Sequence, residues 1–588
     1  MPVDLNEGGP EGPPLRRRSA NEGGPESPPL RRRSAPVAAC VVVVAAVVAY
    51  APTIHDYFLQ DDFGVVGLLS QKPAFYFPRW FVGPWTDNIW GYVPDEVRPF
   101  PALSYQEAAV FGAASPEPNH VLNIAIHALN GLLVMWIAQT AAGIALVPAM
   151  FAGLVFELLP IQAESVAWIT GRVDSLPACF YFASFLLYVR SVRLPTSLSE
   201  LRRARKPDAT ETGTTETVTS RKAYLWSVTL FFAALFSKQN TITMAPALVL
   251  YDWLVRRRRL EVSWRWLRPY VPYVLLTAGF LLLRYVLFHE VAREDALSMQ
   301  RFHEFVSDSS RHLVRLVFGG PGIRHWTARD TAIVACLALL PVVRAVTMSC
   351  LPLPRRTLWR AAIYFGVVWI ALGMAPILVS GYYSPRHMYL ASLGWAVAVG
   401  IALDTLGQPY LARRLRPALI GIGSAVTIMY GAQLYDVVRD WHMRAVVSRA
   451  AVAAIEREAM NSPDGTLLVV GVPTPSWAFA VPHALRPPFT RTDLTRRVLV
   501  ISDSTLHCCD VSQWNAYTRQ ALRTWQAQAD HPPVVAMYWD ARTARLSRVS
   551  DRDDPQLRTL ISLVMETDSR ETLDSAIRGL LKNFVAVR

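Results

Sequence analysis

Two adjacent carboxylates, Asp61 and Asp62, stand just beyond an apolar run. Basic residues recur at the ends of later runs: Arg98, Arg172, Lys238 and Arg386, with His120 and His387 beside them and Glu164 and Asp174 between. A carboxylate at a membrane surface can serve as a general base or bind a cation. Arg and Lys hold phosphate oxygens, Arg in bidentate fashion. A phosphate carried on a lipid arrives at the same interface, so this combination equips a protein for group transfer from a lipid-phosphate donor. A plainer reading fits the same residues. Outer loops are polar in any case, an Asp–Asp pair can solvate or cap a turn, and Lys238 can snorkel to the interface. His127 and Glu157 lie inside apolar runs, as packing residues or as functional groups at depth. The Trp and Tyr residues of 76–105 read equally as an interfacial belt or a sugar-stacking platform.

The elements that must position these residues are membrane helices. The chain has 588 residues, 52% hydrophobic and only 18% charged, against about 25% charged in soluble domains. Apolar runs near the bilayer-crossing length of about 20 residues occur at 36–54, 120–141, 143–160, 175–192, 223–237, 241–255, 269–288, 329–348, 359–379, 388–406 and 416–435. The sequence thus predicts a polytopic α-helical membrane protein with about eleven spans. The net charge of +13 resides between the apolar runs, where it marks topology instead of nucleic-acid binding. Six cysteines form no CxxC and no Cys/His cluster, so no metal site is expected.

Residues 6–20 recur almost unchanged at 21–35, rich in Gly, Pro and Arg; residues 1–35 read as a disordered cytoplasmic tail. With that end inside, the inner loops become 193–222, 256–268, 349–358 and 407–416, and every one is basic, as the positive-inside rule requires. The 193–222 loop reads as a flexible linker. Residues 52–118, with eight acidic residues against three basic ones, form the first outer loop. The candidate residues all project to that outer side. Residues 436–588 follow as a small extracytoplasmic α/β domain, with strand-like runs at 467–472, 498–501 and 534–538 and helix-like runs near 515–527 and 556–566. The Ala- and Arg-rich composition points to a bacterial inner membrane.

Several segments together resemble the GT-C superfamily of membrane glycosyltransferases, and more closely the bacterial relatives of the transmembrane and tetratricopeptide repeat O-mannosyltransferases. They are Asp61-Asp62-Phe63, then Arg98-Pro99-Phe100, then Asn119-His120-Val121-Leu122-Asn123 with His127. After these come Glu164-Ser165-Val166-Ala167-Trp168-Ile169 with Arg172-Val173-Asp174, then Ser237-Lys238, and Arg386 with Tyr389. They run in family order through residues 36–435. The resemblance implies a GT-C-like transmembrane domain there and transfer of a sugar, mannose by the family's name, from a polyprenyl-phosphate donor to an acceptor hydroxyl. An acidic residue, Asp61 or Asp62, would act as base. Arg172, Lys238 and Arg386 would meet the donor phosphate, with Arg98, His120, Glu164, Asp174 and His387 in support. It implies no cofactor beyond the lipid-linked donor and no metal. The acceptor (protein, glycan or lipid) stays open. The chain departs from the family at Leu159-Pro160, Lys238-Gln239 and Arg386-His387, and no 34-residue repeat follows.

Two other functions fit a polytopic chain. A transporter or flippase of lipid-linked sugars places polar residues near the midplane and often shows repeated halves, whereas here they gather at the outer ends. A scaffold that has lost catalysis would keep the fold without the carboxylates, and both are present.

Overall fold

The apolar runs fold as helices in the computed structural model. It describes residues 30–566 outside 87–88, 90–93, 107–114, 193–211, 259–262, 291–297, 320–354, 380–383, 407–411, 462–465, 471–476, 478–482, 502–522, 524–526, 528–533, 541–542 and 550–554, and scattered positions beyond 566. The first helix, Leu30–Tyr50, begins inside the stretch assigned to the tail; Leu and Arg are strong helix formers, so an apolar helix extends backward through them. The helix Glu117–Ile137 continues through a π turn to Gly143, which ends it in the left-handed conformation (φ 74°), open to glycine without a steric penalty. Helix Leu146–Leu158 then breaks. Leu159 is extended before Pro160, as the proline ring demands of its predecessor, and the chain resumes at Ala163–Ala167 with a bend of 49°.

Helices Arg172–Ser191 and Thr212–Leu235 pack along each other. Thr212–Leu235 reaches back into the stretch expected to be a linker. Among the described residues five helices are long and apolar enough to cross a membrane, six if the bent pair is one span. The protein is an integral membrane protein. The expected eleven spans are not all met by this measure. The run at 329–348 lies outside the described residues. Met244–Leu254 has 11 residues, about 16 Å of helix, too short to cross about 30 Å of hydrocarbon alone. An additional amphipathic helix, Met299–Phe318, lies between the runs 269–288 and 329–348, where no span was expected.

The last membrane helix is the largest departure. The sequence predicts a span over 416–435; the structure shows one unbroken helix, Ala412–Asn461, of 50 residues. That is about 75 Å, more than twice the hydrocarbon thickness. Its far half leaves the bundle on the side of Asp61 and Asp62. There Ala451, Val452, Ile455 and Ala459 share one core with Phe58, Phe63, Val66, Trp80 and Trp85 of the 52–118 loop and with Leu467, Val469, Val500 and Met537 of a sheet. The sheet has the order β2-β1-β3-β4, with β1 Thr466–Val470, β2 Val498–Ile501, β3 Val534–Asp540 and β4 Arg545–Arg548. Strand β1 pairs parallel with β2 (Leu467 opposite Val498) and with β3 (Leu467 opposite Val535). Strand β4, not foreseen, returns antiparallel on β3. The expected helix near 556–566 is present as Pro555–Glu566; the one near 515–527 falls largely outside the described residues.

Candidate functional site

The two adjacent carboxylates have different surroundings. Gln60 takes a left-handed turn (φ 48°), and the short helix Asp62–Leu69 starts at once, with Asp61 at the position before it. Asp62 points inward and is 1% exposed. Its Oδ2 accepts from the Leu59 N–H at 2.9 Å. Its Oδ1 accepts from the Thr170 N–H at 2.8 Å and the Thr170 hydroxyl at 2.6 Å. Burial pushes its carboxyl up to about 7, against these three hydrogen bonds and with help from the Asp61 charge. Asp62 therefore staples the first loop to the segment before Arg172. Asp61 is half-buried beside it.

Arg172 begins the Arg172–Ser191 helix and is wholly buried. Its Nε donates to Asn123 Oδ1 at 2.6 Å. Its Nη1 donates to the Ser104 carbonyl at 2.6 Å, and Nη2 to the Asn119 carbonyl at 2.9 Å and to Asn119 Oδ1 at 3.0 Å. The guanidinium lies 4.6 Å over the Tyr105 ring. Every nitrogen is thus turned to a protein oxygen. The expectation that Arg172 meets a donor phosphate is not what this geometry favours; it clamps two loops to one helix. The preceding residue must be glycine, because a Cβ at Gly171 would stand 2.2 Å from the Glu164 carbonyl oxygen. His120, also expected in support, donates from Nε2 to the Asp56 carbonyl at 3.2 Å.

The other basic candidates converge. Lys238, just before the turn Gln239–Thr243, pairs with Asp174 Oδ1. Arg386 reaches the other oxygen of Asp174 with Nε and Glu164 Oε1 with Nη1, both at 3.4 Å. Its guanidinium lies 4.8 Å over Trp168. Glu164 also accepts from the Ser384 hydroxyl at 2.5 Å. Burial lowers the Lys238 ammonium to about 8; the Asp174 charge opposes this, and the nearby Arg98 and Arg386 charges add to it. Arg98 is itself held by Glu96 at 2.6 Å. His387, one residue beyond Arg386, is buried within the field of Lys238, Arg386 and Arg98. Four cations or potential cations from three separate segments therefore gather here, two of them on the Asp174 carboxylate. Such a cluster can receive an anion by trading carboxylate contacts for phosphate ones.

Sequence reasoning missed several members. Trp168 was read as motif, yet it carries Arg386 on its face and donates from Nε1 to the Leu59 carbonyl at 3.3 Å. Thr170, Asn119, Asn123 and Ser104 hold Asp62 and Arg172; Asn119 and Asn123 stand in a motif visible in the sequence, Thr170 and Ser104 in none. His312 and Arg315 of the Met299–Phe318 helix approach His387 and Glu164 electrostatically, and only the helical period of that stretch could have found them. In the bundle, His127 bonds the Tyr389 hydroxyl at 2.7 Å and Glu157 at 3.1 Å, a buried pair apart from the cluster. Among the described residues no group of three or more His, Cys, Asp or Glu side chains is arranged to hold a metal.

Comparison with known proteins adds sequence relatives. No family model matches the chain. It is 29% identical over 159 residues to Protein O-mannosyl-transferase TMTC1 of Homo sapiens, covering 25% of this chain and 17% of that protein. It is 26% identical over 191 residues to Protein O-mannosyl-transferase TMTC4 of Mus musculus, covering 29% of this chain and 24% of that protein. The chain spans about a sixth of the length of the TMTC1 proteins it matches. Among solved structures, ArnT from Cupriavidus metallidurans in the apo state aligns over 86% of this chain and 93% of its own, at 14% identity and a TM-score of 0.47. The family resemblance is thus matched by curated O-mannosyltransferases, over about a quarter of the chain.

Proposed function

We propose that the chain is a GT-C-type membrane glycosyltransferase that moves a sugar, mannose by resemblance, from a polyprenyl-phosphate donor to an acceptor hydroxyl at the outer membrane face. The observation that carries this reading is the buried convergence of Lys238 and Arg386 on Asp174, with Arg98 and His387 beside them. Cations fixed before the donor arrives stabilise charge developing on a leaving phosphate without reorganising. The similarity to O-mannosyltransferases supports the reaction class.

In the proposed reaction Asp61 takes the proton of the acceptor hydroxyl. The acceptor oxygen then attacks the anomeric carbon, the bond from that carbon to the phosphate oxygen breaks, and the polyprenyl phosphate leaves with one additional negative charge. Lys238 and Arg386 meet that charge. Asp61 is preferred to Asp62 on geometry: a carboxyl near 7 suits a general base, but both oxygens of Asp62 are committed to Leu59 and Thr170. A single displacement inverts the anomeric centre. Arg172 and His120 position the loops, and no metal takes part.

The test is sugar transfer by the purified protein in liposomes, with radiolabelled polyprenyl-phosphate sugars and cell-extract acceptors. Asp61→Asn is expected to lower the rate by about 100-fold or more with folding kept. An unchanged rate removes Asp61 as base, and a product of retained configuration removes the single displacement. Absence of transfer with every donor would favour a transporter or an inactive scaffold.

A further inference from the structure

The face opposite the cluster carries a cleft that the proposed reaction does not use. Arg172 and Ser191 are the two ends of one 20-residue helix, about 29 Å apart. Beyond Ser191 the helices Thr212–Leu235 and Val271–Phe288 leave a cleft of about 480 Å³, within the span of ligand-sized sites of about 300–1,000 Å³. Arg221, Tyr224, Trp264 and Arg268 line it, together with Val192 and Pro272. The Tyr224 hydroxyl donates to the Pro269 carbonyl at 2.9 Å, which fixes one wall. Arg221 and Arg268 are exposed, and among the described residues neither is ion-paired to a carboxylate. Neighbouring basic residues are used differently: Arg256 is tied to the buried Asp252 at 2.9 Å, whose other oxygen accepts from Tyr188 and Tyr270 at 2.8 and 2.7 Å.

The surroundings decide what occupies the cleft. Leu225 and Trp226, next to Tyr224 in the chain, are 56% and 60% exposed, and Val274 and Leu275, one turn past the cleft, are 53% and 64% exposed. Only 17% of the Val271–Phe288 span is buried inside the protein, so its apolar surface faces lipid. Trp264 is 68% exposed, as an aromatic anchor at headgroup height would be. Two arginines above a lipid-facing wall match a phosphate above acyl chains, and basic pockets between membrane helices on the inner face recognise anionic headgroups.

We propose that this cleft binds the phosphate headgroup of an anionic membrane phospholipid, with Arg221 and Arg268 on the phosphate, Trp264 at the headgroup level and the acyl chains along Val271–Phe288. It acts on the membrane face opposite the candidate catalytic cluster and does not depend on the chemistry there.

The experiment uses the full chain in detergent micelles titrated with fluorescent phosphatidylglycerol or phosphatidylcholine. Wild type is compared with the double variant R221A/R268A and with R221K/R268K, and inorganic phosphate is the competitor. Phosphatidylglycerol is expected to bind more tightly than phosphatidylcholine. Its affinity should fall about fivefold for each arginine replaced by alanine and be largely kept in the lysine variant, with the unfolding temperature unchanged in both. Equal binding of phosphatidylglycerol by wild type and the alanine variant overturns the proposal. So does a lysine variant as weak as the alanine one, because charge would then not be the source. Displacement of the lipid by inorganic phosphate at comparable concentration would make the cleft a free-phosphate site and also overturn it.

Discussion

Trp441 stacks on Trp168 with ring centroids 6.3 Å apart and planes 16° from parallel. Arg386 lies over Trp168 at 4.8 Å and Arg444 over Trp441 at 4.9 Å, so each indole also carries a cation. Trp168 belongs to the loop between two membrane helices and Trp441 to the far half of the Ala412–Asn461 helix. The cation beside Asp174 is therefore braced by a helix that also enters the core of the β-sheet unit.

Removing this brace should weaken both the fold and the donor site. Trp441→Ala is expected to cost about 3–5 kcal/mol, as for a buried tryptophan truncated to alanine, read from thermal unfolding in detergent. Trp441→Phe should restore most of it, because a ring still stacks. In transfer assays the alanine variant should raise the donor KM more than it lowers kcat, since Arg386 loses support while Asp61 is untouched. Equal effects on both would detach the brace from donor binding.

Asp62 predicts a pH dependence of stability. Its carboxyl is raised from 3.8 to about 7 in the folded protein, so the folded state holds its proton over a range where the unfolded state has lost it. Its contribution is present below about 4 and is lost as pH rises toward about 7. The unfolding temperature should fall across that interval and level off above it. Asp62→Asn should flatten this component. The variant should also be less stable at pH 5, because an amide NH2 set against the Leu59 N–H leaves donors facing each other, at a cost of about 1–3 kcal/mol. A wild-type profile identical in shape to that of the variant would exclude Asp62 as the titrating group.

Lys238 predicts a pH dependence of donor use. With its ammonium lowered to about 8, it loses charge on the alkaline side of that value, and kcat/KM for the donor, which reports the free enzyme, should decline through about pH 8. Lys238→Arg keeps the charge at any such pH and should remove this limb while lowering the rate at neutral pH, because a planar fork replaces a point charge. An alkaline limb that survives in the arginine variant belongs to another group.

Gly171 is expected to tolerate no side chain. An added Cβ would lie 2.2 Å from the Glu164 carbonyl oxygen and 2.9 Å from the Ser165 Cα, and both are backbone atoms that cannot rotate away. Gly171→Ala should destabilise by about 1–3 kcal/mol or more and displace Arg172 from its five-contact pocket. Unfolding temperature is the first readout. Normal stability would mean that the Glu164 loop shifts readily.

Much of this protein is legible in its chain. Apolar runs of bilayer length announce helices because an unpaired backbone is too costly in hydrocarbon, and ten of the eleven runs fall on described helices. Asp62, Arg172, Lys238 and Arg386 were visible as charged residues gathered at the same, outer ends of the runs. The strand-like apolar runs expected at 467–472, 498–501 and 534–538 fall on strands Thr466–Val470, Val498–Ile501 and Val534–Asp540. Local pattern stops at the end of the last apolar run. Polar residues after 435 signal departure from the membrane, not the end of a helix, so the 50-residue helix was read as a span and a separate domain.

Residue type and spacing thus determine which segments are helical and which end of the bundle carries the charged groups, since both depend on hydrophobic length and the desolvation of single residues. Only the tertiary structure decides the division of labour among those groups. Asp62 and Arg172 are consumed by Thr170, Asn119, Asn123 and Ser104, 49 to 108 positions away in the chain, whereas Lys238 and Arg386 meet at Asp174. The reason is physical: a charge is cheap or costly according to the partners that replace its water, and those partners come from segments that only folding brings together.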